Sequence, residues 1–411
     1  MHRSATRKLT RIIMKDLIPK NSLLSVAVVI IFTGTILRIA GLGFISLDMK
    51  DFVIGWYDRL FRDGFSTLGT EFSNYTPPYL YLLWFATWTR SWIPEVIAIK
   101  LISILFDVGN AILVFKILKI EYHENKMPLL GASVFFTLPT IILNSAWWGQ
   151  ADSIYTFFVL ASLYFLLLDS PFAAMIFFGI AFSFKLQAVF ITPLLFLLVL
   201  KRRIKWIYTL LVPLSYSLMM IPAAIAGRPF TNLLTIYLDQ ADTFHKLTKK
   251  APNLYQFISN DWYHPALIIG VGFTFILTLV WIIWYARNIK SLMPNTIIIC
   301  AAVSTAMIPF FLPKMHERYF YLSDVILLLL AFYTPRLWLI PYLSQLISTI
   351  TYSIYLFSTN GPRNNPDSTG SPLLIFAALI NTILIGLLFW EQYKMISFQS
   401  ASLPEKQSHQ M

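Results

Sequence analysis

One cysteine in 411 residues leaves no disulfide to draw within the chain, and that cysteine, Cys300, sits in an apolar run. Charge is also scarce. Asp, Glu, Lys and Arg make up 13% of the residues, against about 25% in a soluble domain. Histidine is sparse: His316-Glu317 is the one pair that suggests a metal, and no second histidine lies at ligand spacing, so no metal site is expected. The basic N-terminus has no small-residue cleavage site after the first apolar run, so it reads as a tail before a retained helix. No internal repeat and no separate soluble domain is visible. The net charge of +12 therefore has no soluble basic domain to carry it, and nucleic-acid binding is not expected.

What the chain has instead is apolar sequence. It is 57% hydrophobic and 16% aromatic, with a mean hydropathy of +0.66. Many runs are long enough to cross roughly 30 Å of hydrocarbon as helices. The expected fold is an all-α polytopic membrane protein in one domain, with about twelve transmembrane helices. They fall at 23–44, 95–117, 127–144, 154–168, 172–184, 188–200, 206–226, 266–286, 294–312, 322–334, 337–357 and 373–390. Lys and Arg fix the sides, because cytoplasmic loops retain them. Residues 1–22 and 391–411 become cytoplasmic tails, and Lys201-Arg202-Arg203-Ile204-Lys205 an inner turn. Residues 45–93 and 227–265 become the two long extracytoplasmic loops, the second read mainly as solvated.

The first loop opens with Asp48 and Asp51. Phe52, Trp56, Tyr57, Leu60 and Phe61 then recur at helical spacing, which predicts an amphipathic helix on a membrane face. Asn74-Tyr75-Thr76-Pro77-Pro78 ends it, and 77–92, too short to cross, is expected as a surface or half-buried helix. Three more polar groups reach the same side: Gln150 and Asp152 after Trp147-Trp148, Lys185 with Gln187, and Lys314, His316, Glu317 and Arg318. Polar side chains converging at helix ends on one face are what an interfacial site requires. Each also has a plainer reading. Asp suits any helix start, the tryptophans suit an aromatic belt, and Lys185 could snorkel. Four ionisable residues between two apolar spans are harder to place without partners, and Lys314 and Arg318 suit a phosphate.

The order of these pieces resembles a known family. Tyr-Thr-Pro-Pro-Tyr-Leu-Tyr-Leu-Leu-Trp from Tyr75, Asn144-Ser145-Ala146-Trp147-Trp148-Gly149-Gln150-Ala151-Asp152, Phe184-Lys185-Leu186-Gln187-Ala188 and Lys314-Met315-His316-Glu317-Arg318-Tyr319 carry the likeness. It is to GT-C integral-membrane glycosyltransferases, most of all the bacterial relatives of the GPI-anchor mannosyltransferases, and it runs from about Asp48 to Asp324. The resemblance implies an inverting transferase that moves a sugar from a polyprenyl-phosphate donor to a hydroxyl acceptor on the extracytoplasmic face. It leans towards mannose, with a protein, glycolipid or polysaccharide as acceptor and no cofactor. It implies Asp51 as base, since that residue opens the surface helix, with Asp48 orienting it. The family's acidic motif is Asp-Glu or Asp-x-Asp, and Asp48-Met49-Lys50-Asp51 departs from it, so the assignment between the two stays open. Arg318, His316, Lys185 and Lys314 would hold the donor phosphate. Gln150, Asp152, Trp148, Glu317, Gln187 and Tyr75 would contact substrate. The location implied is a bacterial inner membrane with a periplasmic site, or the endoplasmic reticulum in a eukaryote. A transporter or flippase for a lipid-linked sugar fits the span count too, and a non-catalytic membrane subunit is the third reading. Asp107 and Asn110 lie mid-span, where a helix–helix hydrogen bond would account for them.

Overall fold

A computed structural model describes residues 22–124, 126–241, 245–357 and 371–401. The basic tail before Ser22, Asp242, most of the polar loop expected before Pro372 and the residues after Ala401 lie outside the described residues. The fold is all-α. The first half comprises α1 (Ser22–Gly41), α2 (Ile54–Asp63), α3 (Pro77–Thr87), α4 (Glu95–Glu121), α5 (Lys126–Thr137), the short α6 (Pro139–Ile142), α7 (Asp152–Leu167), α8 (Pro171–Phe184) and α9 (Thr192–Leu200). The second half comprises α10 (Leu211–Ile225), α11 (Phe230–Ala241), α12 (Tyr263–Asn288), α13 (Pro294–Phe311), α14 (Tyr321–Tyr333), α15 (Leu339–Phe357) and α16 (Pro372–Ala401). Two two-residue strands, β1 (Thr248–Lys249) and β2 (Met315–His316), pair in parallel.

Each of the twelve expected apolar segments is helical, but length and apolarity support fewer crossings than twelve. Among the described residues six helices are long and apolar enough to span a membrane, and α5 with the bent Pro139–Trp148 piece makes a seventh. The shortfall is one of length. At 1.5 Å per residue, α7, α8 and α14, with 16, 14 and 13 residues, reach only about 20–24 Å, short of a roughly 30 Å core. α13 is central, with 78% of its apolar window buried, whereas the windows of α1 and α12 are 22% buried.

The first loop folds close to expectation. Trp56, Tyr57 and Leu60 of α2 are buried, while Phe52 and Phe61 stay exposed. α3 is half-buried and too short to cross, at 11 residues. The second long segment is more ordered than a solvated loop: α11 buries Leu233 and Ile236. α16 also runs into the expected C-terminal tail, where Gln392 accepts from Trp281 Nε1 at 2.8 Å and Arg336 pairs with Glu391 at 2.6 Å.

The mid-span polar residues tie helices together, although Asp107 Oδ1 and Asn110 Oδ1 are buried with no hydrogen-bond partner among the described residues. Asp107 Oδ2 accepts from Arg38 at 2.9 Å and from Ser145 Oγ at 2.6 Å, and Arg38 also donates to Phe136 O at 2.6 Å. Asn110 Nδ2 donates to Ser153 O at 2.9 Å. These groups join α1, α4, the 143–148 turn and the start of α7.

Candidate active site

Buried polar side chains fasten the chain segments that carry the site. Lys100 of α4 donates to Gly41 O at 2.7 Å and Phe44 O at 2.5 Å, gripping the turn that follows α1. Ser46 Oγ donates to Trp148 O at 2.7 Å and accepts from Met49 N at 3.2 Å. The start of the first loop is thereby tied to the end of a π turn, Leu143–Trp148. Gly149 closes that turn in the left-handed region at φ +77°, where a Cβ would stand 2.2 Å from Met49 Cε. The left-handed backbone favours glycine there, while the Met49 methyl, at the end of a flexible side chain, could move aside. π turns re-aim the side chains they carry, and this one sends Trp148 towards the first loop.

Asp48 is the carboxylate on which this end converges. Its Oδ2 accepts from Gln150 Nε2 at 2.7 Å and Trp148 Nε1 at 2.9 Å, with Arg318 Nη1 at 3.5 Å. Its Oδ1 accepts from Tyr355 OH at 2.6 Å. Gln150 Oε1 accepts in turn from Tyr75 OH at 2.9 Å, so the amide joins Tyr75 to Asp48. Tyr355 stacks on Trp148 with ring centroids 4.2 Å apart, and the Arg318 guanidinium lies 5.6 Å from the centroid of the Trp148 ring. Asp51 sits in a π turn, Met49–Val53, and is exposed.

A second carboxylate lies beside the first. Asp152 accepts from Lys185 Nζ at 2.5 Å and from Asn144 Nδ2 at 2.8 Å. Lys185 is therefore paired inside the protein and does not snorkel. Burial pushes its ammonium below the ordinary value, against the pull of Asp152. Arg318 contributes a further electrostatic push in the same direction. Gln187 is also buried, and its Oε1 has no hydrogen-bond partner among the described residues.

The 314–318 segment enters through β2. Lys314 lies at φ +63° and donates its N–H to Leu247 O at 2.7 Å, and its ammonium lies 6.0 Å from the Tyr263 ring centroid. Burial, with the charges of Arg318 and Lys249 adding to it, pushes His316 well below the ordinary histidine value, so at neutral pH it offers a neutral imidazole to an anion. Glu317 is 2% exposed. Burial raises its carboxyl to about 7 against the opposing charge of Arg318. Glu317 Oε1 and Arg318 Nε are buried with no hydrogen-bond partner among the described residues. Buried atoms without a partner occur elsewhere among the described residues too; what marks these two is their place beside His316 and Asp48, where a ligand could reach them. Among the described residues no group of three or more His, Cys, Asp and Glu side chains could hold a metal ion.

The structure thus joins Asp48, Trp148, Gln150, Tyr75 and Arg318 directly, and sets Lys185–Asp152 and His316–Glu317 beside them. It adds Asn144, Tyr355 and the 248–250 segment. Tyr355 lies in a stretch with no recognisable motif, and only its place near the expected outer end of an apolar segment could have flagged it. No protein-family model matches the chain, and no curated protein matches it.

Proposed function

We propose that the chain is an inverting glycosyltransferase that moves a sugar from a polyprenyl-phosphate donor to a hydroxyl acceptor at the membrane surface. The observation that carries this reading is the convergence of four donors on Asp48, with Arg318 among them. One carboxylate and one fixed cation sit together at the end of an apolar bundle. A phosphate leaving group is already a stable anion, so it needs charge stabilisation and no general acid. A single carboxylate base can then suffice where a glycosidase uses two.

In this reading the acceptor oxygen forms a bond to the anomeric carbon from the side opposite the phosphate. Its proton passes to a carboxylate, and the electron pair of the breaking C–O bond stays on the phosphate oxygen beside Arg318. Asp48, held by the cluster where Asp51 is exposed, takes the proton on Oδ2 as the acceptor hydroxyl displaces the long 3.5 Å Arg318 contact, which frees Arg318 for the phosphate. Trp148, Gln150 and Tyr355 hold Asp48 in place, and Tyr75 holds Gln150. The twelve helical segments, with the shorter ones crossing a locally thinned bilayer, would put this end outside, on the periplasmic face of a bacterial inner membrane. A flippase would need mid-span polar groups free to serve a moving substrate. Here Asp107 Oδ2 and Asn110 Nδ2 are engaged in helix–helix contacts, and only one oxygen of each residue is left without a partner among the described residues.

The test uses the full chain in liposomes with labelled polyprenyl-phosphate mannose and glucose and a simple glycoside acceptor. Wild type should release polyprenyl phosphate and form the glycoside. Asp48→Asn should lose at least about 100-fold, the usual scale for a general base, while Asp51→Asn retains most of the rate. Donor that only changes leaflet would replace this reading with the flippase. Equal activity of both variants and wild type would remove the carboxylate from the mechanism.

A further inference from the structure

β1 and β2 are too short to be stable alone, so their pairing matters for what it positions. Thr248 lies opposite Met315 and Lys249 opposite His316, and Lys250 makes a further bridge to His316. Lys250 and Lys314, which flank the pair, hold φ +57° and +63°, a left-handed conformation that disfavours any residue but glycine. Such backbone persists where the surroundings over-determine it, and it collects at ligand sites. Lys250 Nζ lies 5.4 Å from the centroid of the Tyr355 ring, whose hydroxyl donates to Asp48 at 2.6 Å. Lys249 is half-buried, and the charges it feels are those of Glu317, Arg318, Asp48 and Lys246.

We propose that Lys249, carried in by the β1–β2 pairing, is a phosphate-binding residue of this site and acts with Arg318 on the phosphate of a polyprenyl-phosphate ligand. The inference rests on the proposed function. The charge change of that reaction gives the second cation its purpose. The donor is a phosphodiester with one negative charge. The released monoester carries up to two above its second pKa, which is about 6. A cation added beside Arg318 therefore favours the leaving phosphate over the bound donor, which is where rate is gained. Burial pulls the Lys249 ammonium down to about 7, so a bound phosphate would hold a proton there that the free protein gives up.

The experiment measures binding of polyprenyl phosphate, without sugar, to the full chain in nanodiscs between pH 6 and 9. Wild type, Lys249→Gln and Lys249→Arg are compared, each checked for folding by thermal unfolding. At pH 6.5 the Gln variant should bind about tenfold more weakly, the effect of one lost charge-assisted contact. The Arg variant should bind at least as well as wild type and decline less above pH 7, since arginine stays protonated. Glu317 ionises over the same range and Asp48, Arg318, Lys246, Lys250 and His316 share the region, but all are common to the three proteins. Wild-type affinity in the Gln variant would overturn the role of Lys249 and leave the proposed function standing. Loss in Gln without recovery in Arg would reduce Lys249 to a structural part. A wild type that binds no polyprenyl phosphate would overturn both the role of Lys249 and the proposed function.

Discussion

Glu317 makes the chain's stability depend on pH in a direction that can be worked out. Burial, opposed by Arg318, raises its carboxyl from 4.5 to about 7. Between those values the folded chain binds a proton that the unfolded chain has released, so stability falls as pH rises. The contribution is fully present below about 4.5 and gone above about 7. Glu317→Gln removes the titration. The stability difference between wild type and Gln variant, from thermal unfolding in detergent, should therefore shift against wild type across that window and be flat on either side. A difference that stays constant from pH 4 to 8 would mean that Glu317 is not held as a buried acid. At this scale much of the site was legible, because Asp48, Trp148, Gln150, Lys185, Glu317 and Arg318 lie in short motifs between apolar runs. The choice between Asp48 and Asp51 was not. Three-residue spacing on an α-helix keeps two side chains near one face, whereas the π turn at Met49–Val53 swings them further apart. Tyr355 and Lys249 were illegible for another reason. Their partners lie 307 positions away in the case of Tyr355 and Asp48, and 67 positions away in the register of Lys249 with His316 (316 − 249).

Elements were read well from the length of apolar runs, since every long apolar run became a helix. Their joints were not, because a joint depends on a side chain from elsewhere. α10 gives an example. Pro222 lies inside it and brings no N–H, which disturbs the ladder around it. Tyr81 of α3 repairs the break: its hydroxyl accepts from Ala223 N at 3.1 Å and donates to Met219 O at 3.0 Å, standing where the direct 223-to-219 bond would be. Tyr81→Phe leaves both groups unpaired in apolar surroundings and should cost about 1–3 kcal/mol. Adding Pro222→Ala lets α10 straighten and close its own ladder, so the double variant should be more stable than Tyr81→Phe alone. Thermal unfolding of the four proteins in the cycle measures this coupling. Additive effects would show that the hydroxyl and the proline act separately, and α3 would then be docked by its apolar face alone.

At the scale of the whole molecule, contacts sort the turns into two ends. At the site end, Asn232 Nδ2 donates to Glu71 Oε1 at 2.7 Å and Gln240 Nε2 to Asn74 O at 2.5 Å, joining the two long loop segments. At the other end Arg203 pairs with Asp169 at 3.1 Å, Lys201 Nζ donates to Ile289 O at 2.7 Å, and Tyr122 OH donates to Phe332 O at 2.6 Å. The Lys and Arg reading expects the first group of turns outside and the second inside. The proposed orientation needs the short helices to bring the chain from one end to the other, although their length falls below a full bilayer. Cys300 is buried and is the single cysteine, so the natural chain offers a quiet background for labelling. Arg62→Cys and Lys205→Cys place a thiol at exposed positions of the site end and the basic end respectively. In intact cells a membrane-impermeant maleimide should label the first and not the second, and the second should react only after the membrane is opened. Labelling of both from outside would mean that an odd number of the short helices fails to cross between them. The basic end would then share a face with Asp48, and the charge-based orientation would have to be redrawn.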